Sequence, residues 1–219
     1  MQKPVIVKPR RGSRGRHTTT RIETLEELRT AYDLAREIAR EVVIEEHFFG
    51  SVCRATVVGG KLVGFFRADP PQVVGDGVHT IGELIIEKNR TRHERLGEVL
   101  ITDDLISFIA RAGYSLTDVL PRDVVLDLSA KTGRFYGGHT REMLPEVHLK
   151  MHEIFAKAAG VTRAPVASFD LIINNPENDP DTERWGIIEC NSLPFIDLHF
   201  YALHGEPIDV AKHIWDLWG

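Results

Sequence analysis

The glycine pair Gly59-Gly60, set between the apolar runs 54–58 and 61–66, constrains the fold more than any other feature of this sequence. Two consecutive glycines supply the positive φ angles that a two-residue hairpin turn requires, so the runs on either side are predicted to pair antiparallel. A second hairpin is expected from a strand at 166–173 and another at 186–190, joined by an acidic, Pro- and Asn-rich turn at 174–184.

Helices are announced by their starts. Thr24 with Glu27, and Thr80 with Glu83, have the spacing of a capping box. After the first, Leu28, Ala31, Tyr32, Ala35, Ile38, Ala39 and Val42 recur at helical spacing, predicting a helix that reaches residue 42. Further helices are expected at 103–111, closed by Gly113; at 146–159, stopped by Gly160; and at 208–218. Short strands are expected at 5–7, 42–44 and 124–128, with loops at 70–77 and 133–140. The fold class is therefore α+β, with antiparallel pairing prominent.

With 219 residues, 42% of them hydrophobic, the chain can bury a core as one domain or two small ones. The net charge of −5, without a broad basic surface, argues against nucleic acid as a partner. No apolar run approaches the ~18 residues of a membrane span, and residues 1–4 lack a leader-like stretch. Cys53 and Cys190 are isolated, which gives neither a disulfide framework nor a zinc site, and a cytoplasmic location is expected.

Four constellations could carry chemistry. Lys8 closes a strand and precedes a cationic loop containing Gly12, Ser13, Gly15 and Arg16. That loop reads equally as a phosphate cover or as a solvated basic arm. Asp170, Glu189 and Asn191 would share a sheet face if their strands pair, an oxygen set suited to Mg²⁺; they are also ordinary polar residues for strand ends. Glu45, Glu46, His47 and Phe48 follow a strand, where they could read an adenine edge or merely cross into a loop. Arg134 with Gly137, Gly138 and His139 could seat a carboxylate or form a surface turn. His148 and His152 are four apart, but no third ligand accompanies them.

Taken in order, these pieces resemble the ATP-grasp superfamily, in particular its cyanophycin-synthetase-like branch of peptide-forming ligases. The matching string is Val7-Lys8-Pro9 with the loop at 12–16, Val43-Ile44-Glu45, Arg54 with Val57-Val58-Gly59-Gly60-Lys61, Val74-Gly75-Asp76-Gly77 with His79-Thr80-Ile81, Gly137-Gly138, Asp170, and Glu189-Cys190-Asn191. The resemblance implies an ATP-grasp fold of two α+β subdomains with mostly antiparallel sheets clasping ATP. Residues 1–46 would be part of the small subdomain, incomplete at its N-terminal side. Residues 47–219 would be the large subdomain, with a helical insertion near 80–122.

The resemblance also implies roles. Lys8, with Gly12, Ser13, Gly15 and Arg16 closing over it, would contact ATP phosphates, and Arg67 would lie near them. Glu45, Glu46, His47 and Phe48 would hold adenine, with Arg54 also in the nucleotide site. Arg134, Gly137, Gly138 and His139 would hold substrate, and Lys8, Arg67 and Arg134 would act in catalysis. Asp170, Glu189 and Asn191 would bind Mg²⁺ or Mn²⁺. The implied reaction joins a small carboxylate to an amine, an amino acid or peptide, through an acyl phosphate. Two departures are visible. Val52 stands where the family has an acidic residue, and the chain opens at the strand bearing Lys8, so a preceding segment or separate N-terminal polypeptide is expected. A non-catalytic ATP-binding fragment is the alternative, and a homo-oligomer is left open.

Overall fold

The computed structural model describes residues 3–11 and 17–218, in two units, Met1–Phe48 and Phe49–Gly219. Gly12, Ser13, Gly15 and Arg16 lie outside the described residues, and with them the expected phosphate cover.

In the first unit, β1 (Val5–Pro9) lies between β2 (Thr19–Ile22) and β3 (Val42–Glu46), antiparallel to both. Helix α1 (Leu25–Arg36) begins with the expected reciprocal cap between Thr24 and Glu27. It buries Ala31 and Ala35 against Val7 and Ile22. The helix stops six residues short of Val42, because Val42 is taken by the ladder opposite Pro9. Apolar spacing carried past the true end here because a strand residue happened to continue the helical period.

In the second unit, β4 (Ser51–Val58) and β5 (Lys61–Ala68) form the hairpin anticipated from Gly59-Gly60, whose φ angles are 56° and 78°. They join β9 (Val166–Ile173), β10 (Gly186–Asn191) and β8 (Thr140–Glu142) in an antiparallel sheet ordered β10-β9-β4-β5-β8. Helix α4 (Leu149–Thr162) covers one face through Met151, Phe155 and Ala159. It passes through Gly160 and ends at Arg163, which takes the left-handed conformation. A glycine inside a helix costs only about 1 kcal/mol, which the buried face offsets.

Helices α2 (Ile81–Thr91) and α3 (Asp103–Arg111) pack over a small ribbon of β6 (Gln72–Val74) and β7 (Val125–Asp127). Ile81, Ile85, Leu105, Ile109, Leu120 and Leu128 give this segment its own core. The stretch 70–77 is thus not wholly loop, since β6 lies within it. The stretch 133–140 contains a 3-10 turn at Arg134–Tyr136 and runs into β8. A four-residue helix α5 (Asp197–Phe200), which no sequence signal announces, follows β10, and the last helix, α6, is shorter than expected (Val210–Trp215).

Candidate functional site

Directly paired residues of antiparallel strands project to the same side, and alternation sends the next pair to the other. On the side covered by α4 the sheet presents Cys53, Ala55, Val57, Phe65, Phe169 and Leu171. The opposite side is polar, and its residues fall in two rows across the strands. One row runs Phe66, Arg54, Asp170, Glu189; the next runs Gly64, Thr56, Ser168, Asn191.

In the first row Arg54 donates two hydrogen bonds to Asp170, Nε to Oδ1 at 2.7 Å and Nη2 to Oδ2 at 2.8 Å. Burial works against the guanidinium charge, but the hydrogen bonds and charge of Asp170, with Glu189 adding, overcome it and raise the Arg54 pKa. Asp170 and Glu189 are direct register partners, and a one-residue bulge just before Glu189 does not disturb that pairing. The structure thus brings Asp170, Glu189 and Asn191 to one face.

In the second row His199 of α5 lies over Gly64, where a Cβ would come within 2.6 Å of the imidazole. Its Nε2 is 2.7 Å from Thr56 Oγ1 and its Nδ1 is 2.5 Å from Glu142 Oε2. Glu142 Oε1 accepts from the backbone N–H of Phe65 and Leu144. Glu142, His199, Thr56 and Ser168 are all fully or almost fully buried. None of them was singled out from the sequence. The available signal was a polar residue at every second position of β4 and β9, in Arg54-Ala55-Thr56 and Ser168-Phe169-Asp170.

Two carboxylates and a carboxamide on one face suit a hard cation such as Mg²⁺, which takes few protein carboxylates and shares itself with phosphates. Asn191 Nδ2 is buried without a hydrogen-bond partner, so the carboxamide is oriented by nothing within its own strand. Among the described residues no cluster of three or more His, Cys, Asp or Glu side chains is placed to hold a metal, so the set depends on Asn191.

Other expected site residues lie elsewhere. Arg67 pairs with Cys53 and Arg141, which sends it to the side opposite Asp170, where its Nε donates to Asp69 Oδ1 at 2.9 Å. The arginine on the Asp170 row is Arg54. With Asp69, His139, Arg141, Glu177 and His204, Arg67 lines a cleft of about 240 Å³. His139 stacks on His204 with their ring nitrogens 3.0 Å apart, and burial, then Lys88 and His204, lower the His139 pKa. The amides of Gly137 and Gly138 are bound to the carbonyls of Arg134 and Gly133, and a Cβ on Gly138 would lie 2.0 Å from the Asp69 carbonyl oxygen. This glycine pair therefore serves close packing, and what the loop offers a ligand is Arg134 and His139.

In the first unit Lys8 Nζ lies 2.6 Å from Glu45 Oε2, and Lys3 pairs with Glu46 at 3.3 Å. His47 donates its backbone N–H to the Pro4 carbonyl, and its pKa is lowered by burial and by Arg21. Phe48 is half-buried.

No protein-family model matches the chain. It is 31% identical over 222 residues to the cyanophycin synthetase of Synechocystis sp., a match covering 98% of this chain and 25% of the relative. The structure superposes on a bifunctional glutathione synthetase from Pasteurella multocida with a TM-score of 0.63 at 23% identity, covering 98% of this chain and 30% of that one. The chain has the ATP-grasp fold, and its sequence is similar to the cyanophycin synthetases. A weaker fold match, TM-score 0.50 at 12% identity, is to the ATP-grasp ligase PsnB complexed with a precursor variant, Mg and ADP; it covers 98% of this chain and 45% of that one. The chain spans about a quarter of the length of the curated relatives it matches. None of its described helices is long and apolar enough to cross a membrane.

Proposed function

We propose that this chain is the ATP- and Mg²⁺-binding part of a ligase that joins a carboxylate to an amine, with an amino acid or peptide among its substrates. The observation that carries the reading is the register pairing of Asp170 with Glu189, with Asn191 one row along the same face. The sequence relationship to cyanophycin synthetase supports the reaction class.

In the proposed reaction a substrate carboxylate oxygen attacks the γ-phosphorus of ATP, the bond to the β–γ bridging oxygen breaks, and ADP leaves. The amine then attacks the acyl carbon, phosphate departs with the C–O bond electrons, and the amine nitrogen gives up a proton. Phosphoryl transfer asks mainly for positioning and charge stabilisation. Asp170, Glu189 and Asn191 would hold Mg²⁺, which supplies neutralisation of the phosphate charge. Arg54 holds Asp170 in place and contributes a further positive charge to the row. Lys8 is assigned to the phosphates, Glu45 to Phe48 to adenine, and Arg134 with His139 to substrate.

The test is phosphate release from ATP by the 219-residue chain, with Mg²⁺ and a panel of amino acids and peptides. Release that needs both metal and substrate, and that falls at least 100-fold in Glu189→Ala, is expected; full activity in that variant refutes the proposal. One observation favours a second reading, nucleotide binding without catalysis. Both oxygens of Asp170 are already engaged by Arg54, and Val52, in register with Ile172 and Ala68, puts an apolar side chain at the end of the same face. Calorimetric binding of Mg·ATP with no amide product by mass spectrometry would establish that alternative.

A further inference from the structure

Ser168 sits at the centre of the second polar row. Its neighbours there are Thr56 on β4 and Asn191 on β10, each its direct register partner. Thr56 is already held by His199, which Glu142 anchors from β8. Ser168 Oγ and Asn191 Nδ2 are the two buried side-chain polar atoms left without a partner among the described residues. One is a hydroxyl that can accept and the other an amide that can only donate. They belong to residues paired across two strands, where side chains start about 5 Å apart, a span that one water closes. Buried polar groups find partners, and paired orphans of complementary chemistry are each other's nearest candidates.

We propose that Ser168 is a positioning residue for the Asn191 carboxamide. Asn191 Nδ2 donates toward Ser168 Oγ across one buried water, which turns Oδ1, the atom a hard cation takes, toward Asp170 and Glu189. Thr56, held by His199 and through it by Glu142, is the register partner on the other side of Ser168, so the hydroxyl sits between a fixed neighbour and the carboxamide it positions. This inference rests on the metal-site reading above, and it adds a residue outside the ligand set. Groups that orient a metal ligand are typically worth 10- to 100-fold in metal affinity.

The experiment is calorimetric titration of the 219-residue chain with ADP, with and without Mg²⁺, reading the factor by which Mg²⁺ tightens ADP. Ser168→Thr and Ser168→Val have the same shape, both suit a strand, and differ only in the hydroxyl. Ser168→Thr is expected to keep the Mg²⁺ factor, and Ser168→Val to lose about tenfold of it, with ADP affinity in the absence of metal equal in the two. In an Asn191→Ala background the Thr and Val variants are expected to be indistinguishable, since the group being positioned is gone. If Ser168→Val keeps the full factor while Asn191→Ala and Glu189→Ala lose it, the positioning role is refuted and the metal site stands. If Mg²⁺ gives no factor in the parent chain, or Asn191→Ala and Glu189→Ala leave it unchanged, the metal site falls and this inference falls with it.

Discussion

The two faces of the five-stranded sheet share one backbone and have opposite chemistry. Toward α4, residues 53, 55 and 57 of β4 and 167, 169, 171 and 173 of β9 are buried and apolar. The residues between them, Arg54, Thr56, Ser168 and Asp170, carry every hydrogen-bonding side chain of those two strand centres. A slip of one residue in the β4–β9 ladder would drive Arg54 and Asp170 into the apolar core, so the dry face fixes the register on which the polar rows depend. The larger apolar core lies on one side, and the residues proposed to meet ligand lie on the other.

The sharpest way to break that division is to damage the dry face alone. Phe155 is fully buried and packs against Phe65, Phe169 and Trp185. Phe155→Ala should cost about 3–5 kcal/mol in urea unfolding. A cost under about 1 kcal/mol would mean that α4 does not carry the fold. On the polar face the largest effect should come from Asp170→Ala, which strands a largely buried Arg54; about 3 kcal/mol is expected. Replacing both partners, Arg54→Met with Asp170→Leu, should recover most of that stability while abolishing any Mg²⁺-dependent nucleotide binding. Equal loss of stability in the single and double variants would show that the pair matters for packing rather than charge.

How much of this was legible in the sequence follows from the range over which each signal acts. The Gly59-Gly60 hairpin and both capping boxes are local, and the structure has them where the residues place them. Apolar spacing told helix from strand correctly but misjudged ends: Val42 prolonged α1, and Gly160 was taken for a stop. The short strands β2, β6 and β8 were missed because three or four residues give too little periodicity to read. The grouping of Glu189 with Asn191 was readable from parity, and Asp170 joins them through the antiparallel pairing expected of the two strands. Arg67, expected near the phosphates, lies on the other face from Asp170; register across β4 and β5 decides that face, and no local signal states that register. His199 was missed for a related reason: it lies in a four-residue helix and finds Glu142 and Thr56 only through tertiary packing.

A smaller perturbation probes the contact between that helix and the sheet. Gly64→Ala places a methyl group against the His199 ring, and about 1–3 kcal/mol of destabilisation is expected. The cost should shrink in a His199→Ala background, because the clash partner is then absent. An unchanged cost in both backgrounds would locate the effect in the β5 backbone instead.

The gentlest test uses the two cysteines, which sample the dry core and the sheet edge. Cys53 is buried on the α4 side and Cys190 is exposed on the edge strand β10. Burial pushes the Cys53 thiol up to about 12, with Arg67 only partly opposing it, so the native chain should take one iodoacetamide adduct, on Cys190, and a second only in urea. The sign of the linked stability follows: the folded chain keeps the proton longer than the unfolded one. The contribution is therefore fully present below the ordinary thiol pKa of 9.0 and is lost as pH rises from there toward about 12. Cys53→Ala should lose less stability than the parent across that window. Two adducts on the native chain at similar rates would show that the face assigned to the core is open to solvent, and with it the parity on which both polar rows were built.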